Sequence, residues 1–590
     1  MARRGLTVLF TLLGMAVFFS FAAFVAMYLL FGREPAVAAH STLVLPVGGD
    51  LAELAPADVF GYIRGNRTPT VRSIVDNLRK AKVDARVKAV LLKPTDFSSP
   101  FWAKVQEIRD AVVEFRKSGK PVYAYLEYGG DREYYLASAA DKIFLMPSAP
   151  LDLTGIATYE LFLRGTLDKI GAYPDLHHIG DYKTAVNTFT QKNFTAAHKE
   201  MDESLNRDLY DQIVRGIADG RKKSDAEIRQ RFDEGPFLPE DALSAGLIDD
   251  VAYEDQVEEK LKSGEKRDRL DADDYGRVSL TSLGLNRGPR IAVVYAAGTI
   301  TSGRSGFDPV NGPVVGSDTL IEHIRQARRD RTVRAIVLRV DSPGGSAAAS
   351  DAVWRELMIT RNEKPERPLV VSMGDLAASG GYYIAMPAQV IVAQPSTLTG
   401  SIGIFGGKIV TGGVYGKLGA NIESTSVGKN AEINSPVRPY NASELKKLQE
   451  QLQAFYDQFV EKVADSRHTT PEKIDAIAQG RVWTGRQGKQ NQLVDELGGL
   501  DRAVSIAKQR AKIAADAEVE IVVYPARKSF YEILTGQFYG GGSGDSAAIG
   551  AWLNANLTGS EIEALRVVRG PLSMFRRGEL LALMPFTYLR

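Results

Sequence analysis

The feature that most constrains this chain is that it is written twice. Val87-Lys88-Ala89-Val90-Leu91-Leu92 reads like Val333-Arg334-Ala335-Ile336-Val337-Leu338, 246 positions later. Tyr134-Tyr135-Leu136-Ala137 returns as Tyr382-Tyr383-Ile384-Ala385, and Pro147-Ser148 as Pro395-Ser396, both at a shift of 248. Tyr210-Asp211-Gln212 matches Tyr456-Asp457-Gln458, and Ala245-Gly246-Leu247-Ile248-Asp249 parallels Asn491-Gln492-Leu493-Val494-Asp495, both at 246. One short match is easily a coincidence, but a near-constant shift along the chain marks a duplication. Each copy is therefore expected to be one domain, the first over 41–285 and the second over 289–525.

Within each copy, short β-branched runs alternate with amphipathic stretches. In the second, Arg290–Ala296, Val333–Val340, Pro368–Ser372 and Val390–Ala393 read as strands, and Asp318–Arg329 and Ala347–Thr360 as helices. Strand–helix–strand alternation predicts an α/β architecture with largely parallel pairing. Glu444–Ser466 has the length and charge of a solvated surface helix or an oligomer contact. Beyond residue 525 the repeat ends. Gly540-Gly541-Gly542-Ser543-Gly544 breaks the chain before an apolar tail, so 526–590 forms a separate extension. The tail is expected to pack on a neighbouring subunit, with contact to a membrane as the alternative.

The N-terminus adds a different element. Arg3 and Arg4 precede an uncharged apolar run from Gly5 to Gly32, longer than the ~20 residues that span a bilayer as a helix. It is too long for a signal-peptide core of ~7–15 residues, although Ala36-Val37-Ala38 resembles a cleavage site. The positive-inside rule keeps residues 1–4 cytoplasmic, makes 5–32 a single-pass anchor and sends the rest across the membrane. Composition narrows the chemistry further. There is no cysteine, which removes thiol nucleophiles and thiolate metal sites, and the net charge of +1 gives no general attraction for nucleic acid.

The copies differ where chemistry can reside. After the strand Val333–Val340 the second copy has Asp341-Ser342-Pro343-Gly344-Gly345-Ser346, where the first has Pro94-Thr95-Asp96-Phe97-Ser98-Ser99 without glycine. Paired glycines let backbone N–H groups turn toward a ligand. Next comes Ala377-Ala378-Ser379-Gly380-Gly381, with Ser379 on a strand-to-helix passage beside the unpaired N–H groups of a helix start. The first copy has Asp131 there. No Gly-x-Ser-x-Gly elbow exists, and His177-His178 has no triad spacing. Lys183, in Gly180-Asp181-Tyr182-Lys183-Thr184-Ala185, is the better base, because burial can lower a lysine pKa by several units and leave a neutral amine. Its counterpart in the second copy is Ala431. One copy holds the serine and the other the lysine, so a single composite site is expected.

These residues resemble the signal peptide peptidase A (protease IV) family in its long, two-repeat, membrane-anchored form. The resemblance rests on the anchor, Asp341–Gly345, Met373-Gly374, Ala378–Tyr382, Leu398-Thr399-Gly400-Ser401-Ile402-Gly403 and Tyr182–Val186. It implies tandem Clp-protease/crotonase-like domains and a serine endopeptidase in which Ser379 is nucleophile and Lys183 base. The N–H of Gly380, with that of Gly344 or Gly345, would form the oxyanion hole, and Ser401 would orient the amine. It also implies a homotetramer in a bacterial inner membrane with extracytoplasmic catalytic domains. The substrates would be cleaved signal peptides and other unfolded apolar peptides; neither cofactor nor metal is implied. Asp375 stands where a small residue is expected, which would change the polarity of the pocket. The competing readings are a crotonase-like acyl-CoA enzyme and an inactive membrane scaffold.

Overall fold

The computed structural model describes residues 14–15, 18–21, 34–54, 69–262, 267–308, 312–526, 579–585 and 588–589. Its two main sheets share one strand order. The first runs Asp250–Val251, Lys142–Leu145, Val122–Leu126, Val87–Phe97, Ser41–Gly49, Asp268–Asp271, every neighbouring pair parallel. The second has the matching parallel run Glu496–Leu497, Val390–Ala393, Leu369–Ala378, Val333–Ser342, Arg290–Ala297, Glu520–Tyr524. Two further strands branch from the end of Leu369–Ala378, Leu398–Gly400 parallel to it and Val482–Thr484 antiparallel to Leu398–Gly400. The duplication read in the sequence is thus a duplication of topology, and the chain is a tandem α/β protein.

The strands are near-continuous apolar runs because helices cover both faces of a parallel sheet. Leu338 and Val340 are fully buried under Leu320, Ile324 and Ala327, one stripe of the helix Ser317–Arg329, while Val337 is buried on the opposite face with Leu500, Ala503 and Ala507. The strand expected to end at Ser372 continues to Ala378, where its last residues pair with Leu398–Gly400. Alanine and glycine have little strand propensity of their own, so this extension depends on its partner strand. The helix Ala442–Ser466 is not merely solvated. Its start is fixed by a capping box between Asn441 and Glu444. Leu448, Leu452, Phe459 and Val463 then enter the second core at helical spacing, with the charges on the other face.

A third, seven-stranded sheet joins the copies. Its order is Gly306–Asp308, Gly312–Gly316, Thr299–Thr301, Gly344–Ser346, Leu581–Leu583, Ile404–Val410, Tyr173–Ile179. The last strand comes from the first copy and lies antiparallel on the second, from Ile404 opposite Ile179 to Val410 opposite Tyr173.

Buried charges lock the same interface. The Arg339 guanidinium donates to Glu53 and to Glu107, each at 2.7 Å, and Lys104 Nζ lies 2.7 Å from Asp341. Asp375 belongs to this lock and not to a substrate pocket: it accepts from the Lys104 backbone N–H at 2.9 Å and lies 3.4 Å from its amine. Burial raises the Asp375 pKa to about 6, although Lys104 pulls against it. Such networks stabilise little over an apolar packing, but losing one partner strands the others in low dielectric.

Among the described residues no helix is long and apolar enough to cross a membrane. The run Gly5–Gly32 lies almost wholly outside those residues, as does the glycine break 540–544.

Candidate active site

Ser379 sits between the C-terminal end of the strand Leu369–Ala378 and the helix Gly380–Ala385. Its backbone is at φ 56, ψ −113, a conformation that a side chain rarely adopts and that the surroundings must impose. Two bonds impose it: the Ser379 N–H donates to the Gly400 carbonyl at 2.8 Å, and its own carbonyl accepts from the Tyr383 N–H at 2.8 Å. Glycine is required next in sequence. A Cβ on Gly380 would lie 2.7 Å from Ser350 Oγ, and one on Gly381 2.6 Å from the Ser342 carbonyl.

Lys183 arrives from the first copy. The strand Tyr173–Ile179 carries the chain across the second copy, and Gly180, at φ +92, turns it against Gln479. The Tyr182 N–H donates to the Gln479 carbonyl at 2.9 Å. The Lys183 amine then lies 2.8 Å from Ser379 Oγ, 3.0 Å from Ser401 Oγ and 3.1 Å from the Ser401 carbonyl. All three residues are fully buried. No carboxylate among the described residues balances the amine, so burial alone holds its pKa well below the ordinary lysine value. Ser401 is itself at φ 48, with its N–H bonded to the Arg481 carbonyl at 2.7 Å.

The two glycines after Val333–Ser342 have different surroundings. The Gly344 N–H is engaged with Ser342 Oγ at 3.2 Å. Gly345 faces the chain's own C-terminal segment: Gly344, Gly345 and Ser346 pair antiparallel with Leu583, Ala582 and Leu581. A Cβ built on Gly380 would lie 3.1 Å from both the Gly345 nitrogen and the Ala582 carbonyl oxygen, so these three groups converge beside Ser379.

The sequence had no pattern that revealed Gly480. It stands at φ +81, and a Cβ there would lie 2.5 Å from the Lys183 backbone, so only glycine lets the loop 479–481 close over the lysine. The histidine pair is engaged elsewhere, His177 with Asp175 at 2.9 Å and His178 with the Gly180 carbonyl at 2.8 Å. In the first copy Asp131, the counterpart of Ser379, accepts from the Thr154 and Gly155 N–H groups.

A buried serine hydroxyl bonded to a buried, uncompensated amine is the arrangement of serine hydrolases that dispense with histidine. The chain belongs to peptidase family S49, whose model matches it twice, over residues 114–268 and 361–514, the first match containing Lys183 and the second Ser379. It is 36% identical to the chloroplastic serine protease SPPA of Arabidopsis thaliana, over 78% of this chain and 68% of that one. It is 37% identical to Protease 4 of Salmonella typhi, over 75% of this chain and 72% of that one. A solved membrane-bound stomatin-specific protease aligns with 41% of this chain and all of its own, at 14% identity and a TM-score of 0.26. The family makes this chain a serine protease and sets aside the acyl-CoA and scaffold readings.

Proposed function

We propose that Ser379 is the nucleophile and Lys183 the general base of one composite site per chain. The observation that carries this is the 2.8 Å contact between Nζ and Oγ, made by an amine whose burial favours its neutral form. The amine takes the Ser379 proton as Oγ attacks the substrate carbonyl. The oxyanion lies between the N–H groups of Gly380 and Gly345, and Lys183 then returns the proton to the leaving amine. Water repeats the sequence on the acyl-enzyme. Ser401 holds the amine toward Oγ through its own hydroxyl and carbonyl.

The substrates are unfolded apolar peptides, including cleaved signal peptides, bound as an extended strand against Gly344–Ser346. The apolar run 5–32 would hold the chain in a bacterial inner membrane, N-terminus inside and both repeats outside, next to where such peptides accumulate. An unpaired arm supports oligomer formation. The short helix Gly412–Lys417 and positive-φ Gly419 repeat Arg164–Ile170 and Gly171 at a shift of 248, but residues 421–427 form no strand, and Leu418 and Val427 are exposed. Where the first arm docks on the second copy, the second arm would dock on the first copy of the next chain. That head-to-tail contact closes a ring, which we take to be a homotetramer. The test is hydrolysis of casein and of an apolar signal-peptide sequence by the full-length protein in detergent. Wild type should cleave both and Ser379→Ala neither; cleavage surviving in Ser379→Ala contradicts the assignment.

A further inference from the structure

The proposed site is already occupied by the chain itself. Leu581–Leu583 lies between Gly344–Ser346 and Ile404–Val410, antiparallel to both. Two bonds frame the ladder: the Met584 N–H donates to the Pro343 carbonyl at 2.9 Å, and the Ala347 N–H to the Leu580 carbonyl at 3.1 Å. Antiparallel pairs alternate between mutually bonded and non-bonded. With 343 bonded to 584 and 347 to 580, the mutually bonded pair between them is Gly345 with Ala582. The Ala582 carbonyl therefore accepts from Gly345 beside the Gly380 nitrogen, where the carbonyl of a bond under attack would sit.

The side chains fit as well as the backbone. Leu581 and Leu583 enter an apolar cluster with Leu176, Ala185, Val186 and Phe405, so the segment that brings Lys183 also grips the tail. Ala582, fully buried, points the other way into the second core, and Met584 packs on Met201, Ala378 and Val482. Ser346 Oγ donates to Glu579 at the head of the segment. Farther on, Tyr588–Leu589 pairs with Thr158–Tyr159.

We infer that Glu579–Pro585 is an internal pseudosubstrate: it fills the groove as an extended strand, offers the Ala582 carbonyl to the oxyanion glycines and keeps other peptides out until displaced. This inference rests on the Ser379–Lys183 reading. A tethered strand competes at an effective concentration in the millimolar range. Deleting residues 579–590 should therefore raise kcat/KM for a short quenched peptide with alanine before the scissile bond by about tenfold or more. The synthetic peptide Glu579–Pro585 should then inhibit the shortened chain competitively. A second variant keeps the tail. Phe405 and Leu581 are directly opposed, and the chain has no cysteine of its own, so Phe405→Cys with Leu581→Cys can be locked by oxidation and released by reductant. Low activity when oxidised, recovered on reduction, is the expected result. Equal rates with the bond formed and broken, together with no gain on deletion, overturn the inference while leaving the protease chemistry intact. If no form hydrolyses peptide or takes a fluorophosphonate at Ser379, it is the underlying reading that has failed.

A separate cluster supports a second inference. His198 and Asp202, one turn apart on the helix Ala196–Arg221, are 2% and 6% exposed, and His198 Nε2 and Asp202 Oδ2 have no hydrogen-bond partner among the described residues. They lie 3.7 Å apart, and a carboxylate oxygen of Glu160 completes a group within 4.8 Å. That separation is long for a hydrogen bond but suits two ligands of a tetrahedral zinc, about 3.3 Å apart at Zn–N/O lengths near 2.0–2.1 Å. Asn187, four residues past Lys183, has its side-chain amide 3.5 Å from His198 Nδ1; turned so that its oxygen accepts from Nδ1–H, it would leave Nε2 free for a metal. We propose that Glu160, His198 and Asp202 bind a divalent cation of the zinc type that braces the lysine-bearing segment. Equilibrium dialysis of the full-length protein against zinc should give one ion per chain, lost in His198→Ala and in Asp202→Asn, with a zinc-dependent rise in Tm only in wild type. No bound zinc, or the same stoichiometry in both variants, overturns this assignment.

Discussion

Tyr173–Ile179 and residues 421–427 hold corresponding positions in the two copies and behave oppositely. The first is a strand of seven residues that crosses to the other copy, pairs along Ile404–Val410 and delivers Lys183 to a fully buried position. The second pairs with no strand among the described residues and is exposed throughout. Secondary structure here follows from the partner, because a strand without a ladder leaves its backbone to water. The lesson for chemistry is similar. A lysine becomes a base where docking strips water from it, so position 183 can act and position 431, on an exposed arm, cannot.

The largest effect should come from removing that difference. Lys183→Ala should lower peptide hydrolysis by about 10³-fold or more, as when one member of a catalytic unit is lost. Adding Ala431→Lys should not restore it, measured on the same peptide; recovery within the monomer would break the comparison. Next in size is the lock between the copies. Arg339→Ala leaves Glu53 and Glu107 buried without their cation and should cost about 3–5 kcal/mol, read as a lowered Tm, whereas Arg339→Met with Glu53→Gln should lose less. Smaller again is Gly480→Ala, whose methyl would meet the Lys183 backbone. A displacement of about 1 Å predicts up to about a 100-fold loss in kcat with KM little changed. Smallest for the isolated chain is Val427→Asp, expected to alter stability by no more than about 0.5 kcal/mol while lowering the assembly mass in light scattering. An unchanged mass would remove the arm from the proposed ring.

Much of this was legible because duplication provides an internal comparison. The two-domain division, the Ser379–Gly380–Gly381 passage and the absence of a lysine opposite Lys183 all follow from laying one copy on the other, whereas the strand order does not. What stayed hidden depends on contacts between distant segments. Gly480 is needed only because the Lys183 backbone passes under it, and no local pattern records that. Asp375 read as a change in the pocket because its partner Lys104 lies 271 residues away in the other copy. The tail read as packing on a neighbouring subunit rather than a membrane, because its residues show no strong amphipathic helical pattern, whereas Leu581–Leu583 is a strand within its own chain. Only the bare edges of Gly344–Ser346 and Ile404–Val410 show that it fits within its own chain.

The most direct test is the pH dependence of Ser379 phosphonylation, measured in wild type and in Lys183→Ala. Burial depresses the Lys183 pKa, so below the folded value the amine is charged and cannot accept a proton, and above it the rate should level off. The account predicts a sigmoidal profile with its midpoint well below the ordinary lysine value of 10.5, absent in the variant. A wild-type midpoint near 10.5, or the same profile in Lys183→Ala, would contradict it.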